Sequence, residues 1–274
     1  MRVEDLLVYG KSHCHSDHAK ILLAELLNKN PLELLINLDE IVPEDKAELY
    51  KKEVLALEAG KPLQYVIGYV NFYGNNFEIN ENVLIPRFET EELVEYTIKY
   101  INDYFTEPVD ILDLGCGSGV IGLTLEKKVS TNSVDLVDIS KEALEVTHKN
   151  CGNLNSKANL IESDFLENVQ KQYDVIISNP PYIKTDEEIE AIVKENEPHL
   201  ALYAGSDGLD CYKKILENIR PYLKERSLIA FEIGYTQAND IIKLTQIHLD
   251  NIRIEVKKDM SGKDRMIFIF RNIV

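Results

Sequence analysis

The residues best placed to do chemistry are Asn179-Pro180-Pro181-Tyr182, which follow the apolar run Tyr173-Asp174-Val175-Ile176-Ile177-Ser178. Two consecutive prolines fix φ and remove two backbone donors, leaving carbonyls free at the mouth of a strand. Asn179 adds a side-chain oxygen acceptor and Tyr182 an aromatic face. Two acceptors and a flat ring suit a planar –NH2 group, the nitrogen of an amide or an aromatic amine. Such a nitrogen is a poor nucleophile because its lone pair is delocalised. Hydrogen bonds from its N–H groups to the Asn179 oxygen and the Pro180 carbonyl would aim it at an electrophilic methyl group and stabilise the positive charge that develops. No strong base is needed beforehand, since the methylated cation is acidic and loses its proton afterwards. The competing reading is a Pro-Pro loop that merely ends a strand.

A second constellation lies upstream. Ile111-Leu112-Asp113-Leu114-Gly115-Cys116-Gly117-Ser118-Gly119 reads as a strand running into a glycine-rich turn, with a helix from about Val120. Gly117, Gly119 and Gly122 satisfy G-x-G-x-x-G, and Asp138 ends the next strand about 20 residues on, as a ribose-binding acid does in a dinucleotide enzyme. Two features favour S-adenosylmethionine instead. Asp113, at the strand end, would oppose a pyrophosphate and attract a ligand ammonium group. The loop also starts one repeat earlier, as Gly115-x-Gly117-x-Gly119, which suits a ligand with an amino acid and a sulfonium but no phosphate. Asp138 would then hold the ribose hydroxyls, while Asp164 and Phe165 would give adenine a polar contact and a flat apolar face. A structural glycine turn without a ligand is the alternative. Cys116 is read as a small loop-filling residue, because the transfer needs no protein nucleophile and no His partner is visible.

The elements that must position these residues fall into three stretches. Residues 1–68 read as a small helical domain, with helical spacing from Ala19 to Leu27 and punctuation at Pro31, Pro43 and Pro62. Residues 69–88 read as a β-hairpin linker, since Val70, Phe72, Phe77 and Ile79 alternate with polar residues around Gly74-Asn75. Residues 89–274 alternate helices with apolar strands: Val109 to Leu114, Ser133 to Val137, Asn159 to Ile161, Tyr173 to Ser178, Ser227 to Ile233, Arg253 to Val256 and Met266 to Phe270. Near-continuous apolar strands belong to sheets covered on both faces, so the expectation is a doubly wound, mostly parallel seven-stranded α/β domain. A helix is expected to start after Thr90 as N-cap, with Glu91 and Glu92 in its first turn. Asp186-Glu187-Glu188-x-Glu190 reads as another helix N-terminus. His13-Cys14-His15-x-x-His18 looks like a metal cluster, but no second ligand group lies at zinc spacing; a helix start capped by Ser16 or Asp17 is the reading, with no metal.

Composition narrows the partners. The 274 residues carry 30 Lys+Arg against 47 Asp+Glu, a net charge of −17, which disfavours binding to phosphate backbones. The excess is uneven: −7 over 76–110, −8 over 111–200 and +2 over 201–274. It therefore accompanies the glycine loop and the tetrapeptide, where it suits a sulfonium and a charge-developing nitrogen. The basic tail from Arg253 to Arg271 is the one segment that could face RNA, a solvated surface being the plainer reading. Four scattered cysteines without a CxxC pair fit a reducing, cytoplasmic setting, and neither a leader pattern nor a run of about 18 apolar residues is present.

The sequence resembles the release-factor glutamine methyltransferases, the PrmC/HemK family, over essentially its whole length. The segments that carry the resemblance are Gln64 to Gly68, Val83-Leu84-Ile85-Pro86-Arg87-Phe88-Glu89-Thr90-Glu91, the glycine loop, Val137 to Ser140, Ser178 to Ile183, Glu197-Pro198, Gly205-x-Asp207-Gly208-Leu209, Glu232-Ile233-Gly234, and Lys258-Asp259 with Gly262 and Asp264-Arg265. The tetrapeptide alone is shared with DNA adenine and some RNA guanine methylases; joined to Ile-Pro-Arg-x-Glu-Thr-Glu it is specific. The resemblance implies N5-methylation of the glutamine in a Gly-Gly-Gln motif of peptide chain release factors, with S-adenosylmethionine as methyl donor. It implies that Gly115, Cys116, Gly117, Ser118, Gly119, Asp138, Phe165 and Asn179 line the cofactor. Asn179, Pro180, Pro181 and Tyr182 would hold the substrate amide, with Asn179, Pro180 and Tyr182 as the catalytic set and Arg87 and Glu89 on the substrate side. The helical domain would dock the substrate, and the chain is expected to act as a monomer, without a membrane or stable nucleic-acid partner. Cys116 stands in place of a common Thr, Phe88 of Pro, Phe165 of Trp and Glu225-Arg226 of Gly-Gly. The alternatives are a nucleic-acid base methyltransferase acting on adenine N6 or guanine N2, and a non-catalytic nucleotide-binding module.

Overall fold

The computed structural model describes residues 1–273, which form two units: Met1–Tyr69 with Glu190–Asn196, and Val70–Ile189 with the residues from Glu197 onward. The first unit is helical, with α1 (Val3–His13), α2 (Ser16–Leu27), α3 (Pro31–Ile36), α4 (Glu44–Glu58) and α5 (Leu63–Ile67). Local signals set the ends of these helices. Asn30 Oδ1 accepts from Leu32 N and Glu33 N, Glu33 reaches back to Asn30 N, and Pro31 occupies the first turn, a capping box that starts α3. Apolar faces of these helices bury Leu6, Leu22, Leu23, Leu34, Tyr50 and Val54 as one core.

The second unit opens with strands β1 (Tyr69–Phe72) and β2 (Asn75–Glu78), joined by Tyr73-Gly74 at φ 50° and 80°. Positive φ at both central residues is the type I′ geometry whose twist matches a hairpin. Then follow α6 (Phe88–Tyr104), β3 (Val109–Leu114), α7 (Val120–Lys128), β4 (Thr131–Asp138), α8 (Lys141–Leu154), β5 (Asn159–Glu162) and β6 (Tyr173–Ser178). The short α9 (Ala191–Asn196) packs in the first unit, where Asn196 Nδ2 donates to the Gly60 carbonyl at 3.1 Å. The chain ends with α10 (Asp210–Asn218), β7 (Leu223–Glu232), α11 (Ala238–His248), β8 (Ile252–Lys258) and β9 (Asp264–Arg271).

The seven strands β3 to β9 make one sheet in the order β5-β4-β3-β6-β7-β9-β8, parallel from β5 to β7 with β9 antiparallel to both of its neighbours. Strand alternation divides its side chains between two cores. Ile111, Val175, Ile177, Leu228 and Ala230 enter one core; Leu112, Leu114, Ile176, Ile229 and Phe231 enter the other. The expected mostly parallel sheet, covered on both faces, is what the chain forms.

Three local expectations are corrected. Helix α6 begins at Phe88 with Arg87 as N-cap, because the Thr90 hydroxyl is taken by Glu232 and cannot cap its own helix. The run Asp186 to Glu190 lies ahead of α9 rather than in its first turn; only Glu190, whose carbonyl accepts from Val193 N and Lys194 N, touches the helix start. For α2 the cap is His15, whose Nδ1 accepts from Asp17 N at 3.3 Å. Among the described residues no group of three or more His, Cys, Asp or Glu could hold a metal ion, and no helix is long and apolar enough to cross a membrane.

Candidate active site

In an open α/β sheet a ligand crevice forms where two adjacent parallel strands send their connections to opposite sides. Here that point lies between β3, which leads outward to β4 and β5, and β6, which leads to β7. The glycine loop leaves the carboxyl end of β3 and Asn179 follows the carboxyl end of β6. Ser178 Oγ donates to the Leu114 carbonyl at 2.5 Å and ties the two strand ends together. A cavity of about 320 Å³ opens there, lined among others by Gly115, Cys116, Gly117, Ser118, Asp138, Asp164, Phe165, Asn179 and Pro181.

The loop is held by hydrogen bonds from outside it. Gly117 sits at φ 55°, in the left-handed region that glycine enters without a Cβ penalty. Its N–H donates to Asp138 Oδ2 at 2.8 Å, and its carbonyl accepts from Thr147 Oγ1 at 2.6 Å. Asn150 Nδ2 donates to the Ser118 carbonyl at 2.9 Å and also to the Glu78 carbonyl at 3.0 Å, joining loop, α8 and hairpin. Gly119 is the N-cap of α7. Cys116 is buried, its Sγ lies 3.8 Å from Thr147 Oγ1, and burial pushes its thiol well above the ordinary range, as befits a packed rather than reactive residue.

Asp138 fits the role of a hydroxyl acceptor. Its Oδ1 takes Ser140 N at 2.9 Å and its Oδ2 takes Gly117 N, so each oxygen keeps a second acceptor site on a residue that lines the cavity. Burial raises its carboxyl pKa while these backbone donors oppose the rise. Asp164 also lines the cavity but is ion-paired with Lys214, which ties it to α10. Phe165 lines it at φ 51°, a conformation that costs a side-chain-bearing residue about 1–3 kcal/mol and persists only where packing holds it.

Asp113 departs from expectation. It does not line the cavity; it is fully buried beneath the loop, where Oδ2 accepts from Gly122 N at 2.9 Å. Its Oδ1 has no hydrogen-bond partner, and burial pushes its carboxyl up to about 7. Its position places it under the first turn of α7 rather than on the cavity wall.

The tetrapeptide divides as well. Asn179 and Pro181 line the cavity, whereas Pro180 and Tyr182 do not. Tyr182 packs its ring on the core and donates its hydroxyl to Glu232 Oε1 at 3.4 Å. Asn179 Nδ2 donates to Thr90 Oγ1 at 3.2 Å, and Thr90 Oγ1 donates to Glu232 Oε2 at 2.7 Å. Gln237 braces the exit of the segment: Nε2 donates to the carbonyls of Tyr182 and Gly208, each at 3.0 Å, while Oε1 accepts from Gly234 N at 2.9 Å. Arg87 pairs with the buried Glu197, whose other oxygen accepts from Ile85 N at 3.1 Å; neither Arg87 nor Glu89 lines the cavity. Sequence reasoning missed Thr90, Glu232, Gln237, Thr147 and Asn150, though Thr90 and Glu232 stood inside quoted motifs. It also missed wall residues Val83, Leu84, Pro86, Leu200 and Tyr203, of which the first three lay in a quoted segment.

Comparison with known proteins gives the chain its relatives. Residues 15–68 match the PrmC N-terminal domain model, and residues 98–201 match the methyltransferase small domain model. A release factor glutamine methyltransferase of Bacillus cereus is 36% identical over 98% of this chain and 99% of its own. One from Streptococcus pneumoniae is 40% identical over 84% of this chain and 82% of its own. Among solved structures, a T. thermophilus 16S rRNA N2 G1207 methyltransferase in complex with AdoMet and guanosine shares the fold, with TM-score 0.53, 15% identity, and coverage of 74% of this chain and 50% of that one.

Proposed function

The chain belongs to the release factor glutamine methyltransferases, and on that premise we propose that it methylates the side-chain amide nitrogen, N5, of the glutamine in the Gly-Gly-Gln motif of peptide chain release factors, using S-adenosylmethionine. The observation that carries the reading is the meeting of Asn179 with the glycine loop and Asp138 in one cavity at the switch point of the sheet.

The residues present fit the methyl donor. Asp138 offers charged acceptor sites for ribose hydroxyls, Phe165 a ring for adenine, and the Gly115 to Ser118 backbone a wall with no bulky side chain. S-adenosylmethionine supplies an electrophilic methyl group on a sulfonium. The protein's part is to hold the glutamine nitrogen in line with that methyl. Asn179 Oδ1, on the cavity wall, accepts one N–H of the amide, and the adjoining Pro180 carbonyl, which does not itself line the cavity, is the expected second acceptor; together they orient the nitrogen and favour the cation that forms on it. The tetrapeptide needs no general base, because the product cation loses its proton readily to solvent. Tyr182 acts from behind, through Glu232, in keeping the loop in place.

Local charge supports a protein amide over a base in nucleic acid. Residues 111–200, which hold both motifs, carry a net −8, a setting that repels a phosphate backbone. We assign substrate docking to the helical unit, a cytoplasmic setting and action as a monomer to the same reading. The test is incubation with labelled S-adenosylmethionine, a release factor, and separately DNA and RNA, followed by mass spectrometry of the labelled product. A methyl group on the Gly-Gly-Gln glutamine is expected; label on nucleic acid alone would reject the reading.

A further inference from the structure

Asn179 can act as an acceptor only if its amide is turned the right way. The two faces of that amide are opposite in kind, oxygen accepting and nitrogen donating. With the nitrogen toward the substrate, an –NH2 would face an –NH2, and the nucleophile would be misaligned.

What sets the orientation is a short chain of hydrogen bonds that runs from the cavity wall, which Asn179 and Thr90 both line, back to the buried Glu232. Asn179 Nδ2 lies 3.2 Å from Thr90 Oγ1, which lies 2.7 Å from Glu232 Oε2. Thr90 is 2% exposed and Glu232 1% exposed, so both are all but withdrawn from solvent and their protein partners dominate. A threonine hydroxyl has one proton, and a carboxylate only accepts. The Thr90 proton is therefore committed to Glu232, leaving only lone pairs to meet Asn179. An Asn179 oxygen at that position would face another oxygen with no proton between them; an Asn179 nitrogen is satisfied. The carboxylate sign at the end of the chain thus determines the amide sign at its start.

We propose that Thr90 and Glu232 are positioning residues for the transfer, locking the Asn179 side chain with its nitrogen on Thr90 and its oxygen toward the substrate amide. The inference rests on the reading of Asn179 as acceptor for a glutamine –NH2. Thr90 reaches the site from the first turn of α6 and Glu232 from the end of β7, so the lock joins a helix and a strand that the tetrapeptide itself does not belong to.

The lock depends on Glu232 being ionised. Once protonated, Glu232 becomes a donor, can turn the Thr90 hydroxyl around, and so favours the reversed amide. The groups that face it are Glu89 of α6, which opposes ionisation, Arg265 of β9, which favours it, the Tyr182 hydroxyl, which donates to it, and Tyr212 of α10, whose hydroxyl donates to the Glu232 backbone carbonyl. Burial outweighs the favourable partners and pushes the carboxyl up to about 7. Transfer should accordingly fade on the acid side of neutrality.

The experiment compares the full-length wild type with Thr90→Val, Thr90→Ser and Glu232→Gln on a release factor, reading kcat, KM, the dissociation constant of S-adenosylmethionine by calorimetry, and the pH profile of kcat. Thr90→Val should lower kcat by about tenfold to a hundredfold, the scale on which one misplaced hydrogen bond acts in the transition state, with KM and cofactor affinity within about twofold. Thr90→Ser, which keeps the hydroxyl, should restore most of kcat, and Glu232→Gln should remove the acid limb of the profile. Parental kcat in Thr90→Val, or equal losses in the Val and Ser variants with an unchanged pH profile in Glu232→Gln, would overturn the lock while leaving the glutamine reading intact. Failure of the wild type to methylate glutamine would overturn that reading, and the inference with it.

Discussion

Single side chains in this protein are specified by what they can donate and accept, and the sharpest prediction follows from that. On the proposed reading, Asn179→Ala removes one of the two acceptors that orient the substrate nitrogen, while Asp138, Phe165 and the glycine loop remain on the cavity wall. Turnover should fall by about 10²- to 10³-fold, the cost of deleting one preorganised hydrogen-bonding group, while calorimetric affinity for S-adenosylmethionine stays near the parental value. The types and spacing of Asn179, Gly115 to Ser118 and Asp138 singled out residues that the fold brings to one cavity, because a motif packs its donors and acceptors into a few consecutive residues. The role of Asp113 was not legible. Its place at a strand end looked the same whether its carboxylate faced a ligand or, as the fold has it, the first turn of α7. Thr90 was misread for a similar reason: a Thr before two Glu is a good cap, until a buried carboxylate 142 positions away takes its hydroxyl.

Between elements, the contacts that matter are backbone approaches that a side chain would block. Gly208 sits at φ 73°, and a Cβ there would lie 2.4 Å from the Tyr182 carbonyl oxygen and 2.6 Å from Gln237 Nε2. Gly208→Ala must therefore push the segment entering α10 off the tetrapeptide loop and break the Gln237 brace. Melting temperature should drop by several degrees, corresponding to about 1–3 kcal/mol of overpacking and strain, and kcat should fall with it. An unchanged kcat would show that the brace does not help to hold Asn179. Strand identity was easy to read here, since runs such as Val175-Ile176-Ile177 alternate between two buried faces. Element ends were harder: α6 starts two residues before Thr90, and the acidic run after the tetrapeptide precedes its helix, because tertiary partners rather than local propensity decide those ends.

Across the whole molecule, burial of carboxylates ties stability to pH. Asp113 and Glu232 are both pushed up to about 7 by burial, so between the ordinary carboxylate range and about pH 7 each holds its proton in the folded chain where the unfolded chain would have lost it, and above about pH 7 Glu232 is the carboxylate that the Asn179 lock requires. Their contribution to stability is complete below the ordinary carboxylate range, declines as pH rises toward about 7, and is constant above it. Asp113→Asn should flatten the fall in melting temperature between about pH 4 and 7; a slope equal to the parental one would place the titration elsewhere. Docking by the helical unit predicts a different signature. Leu32 and Ile36 are 69% and 80% exposed on α3, and Leu32→Asp with Ile36→Asp should raise KM for an intact release factor but not for a short Gly-Gly-Gln peptide, with kcat unchanged. Equal effects on both substrates would count against docking.

The sequence by itself determined the doubly wound sheet, the helical first unit, the glycine loop and the tetrapeptide, because hydrophobic period, turn residues and motif chemistry are local properties written in consecutive positions. Only the tertiary structure decided which way the Asn179 amide faces, that Asp113 lies under the loop, that Tyr182 answers to Glu232 and that Arg87 answers to Glu197. Each of these depends on a hydrogen bond or burial between residues far apart in the chain, and the direction of a donor, like the desolvation of a carboxylate, exists only once distant segments have excluded water from between them.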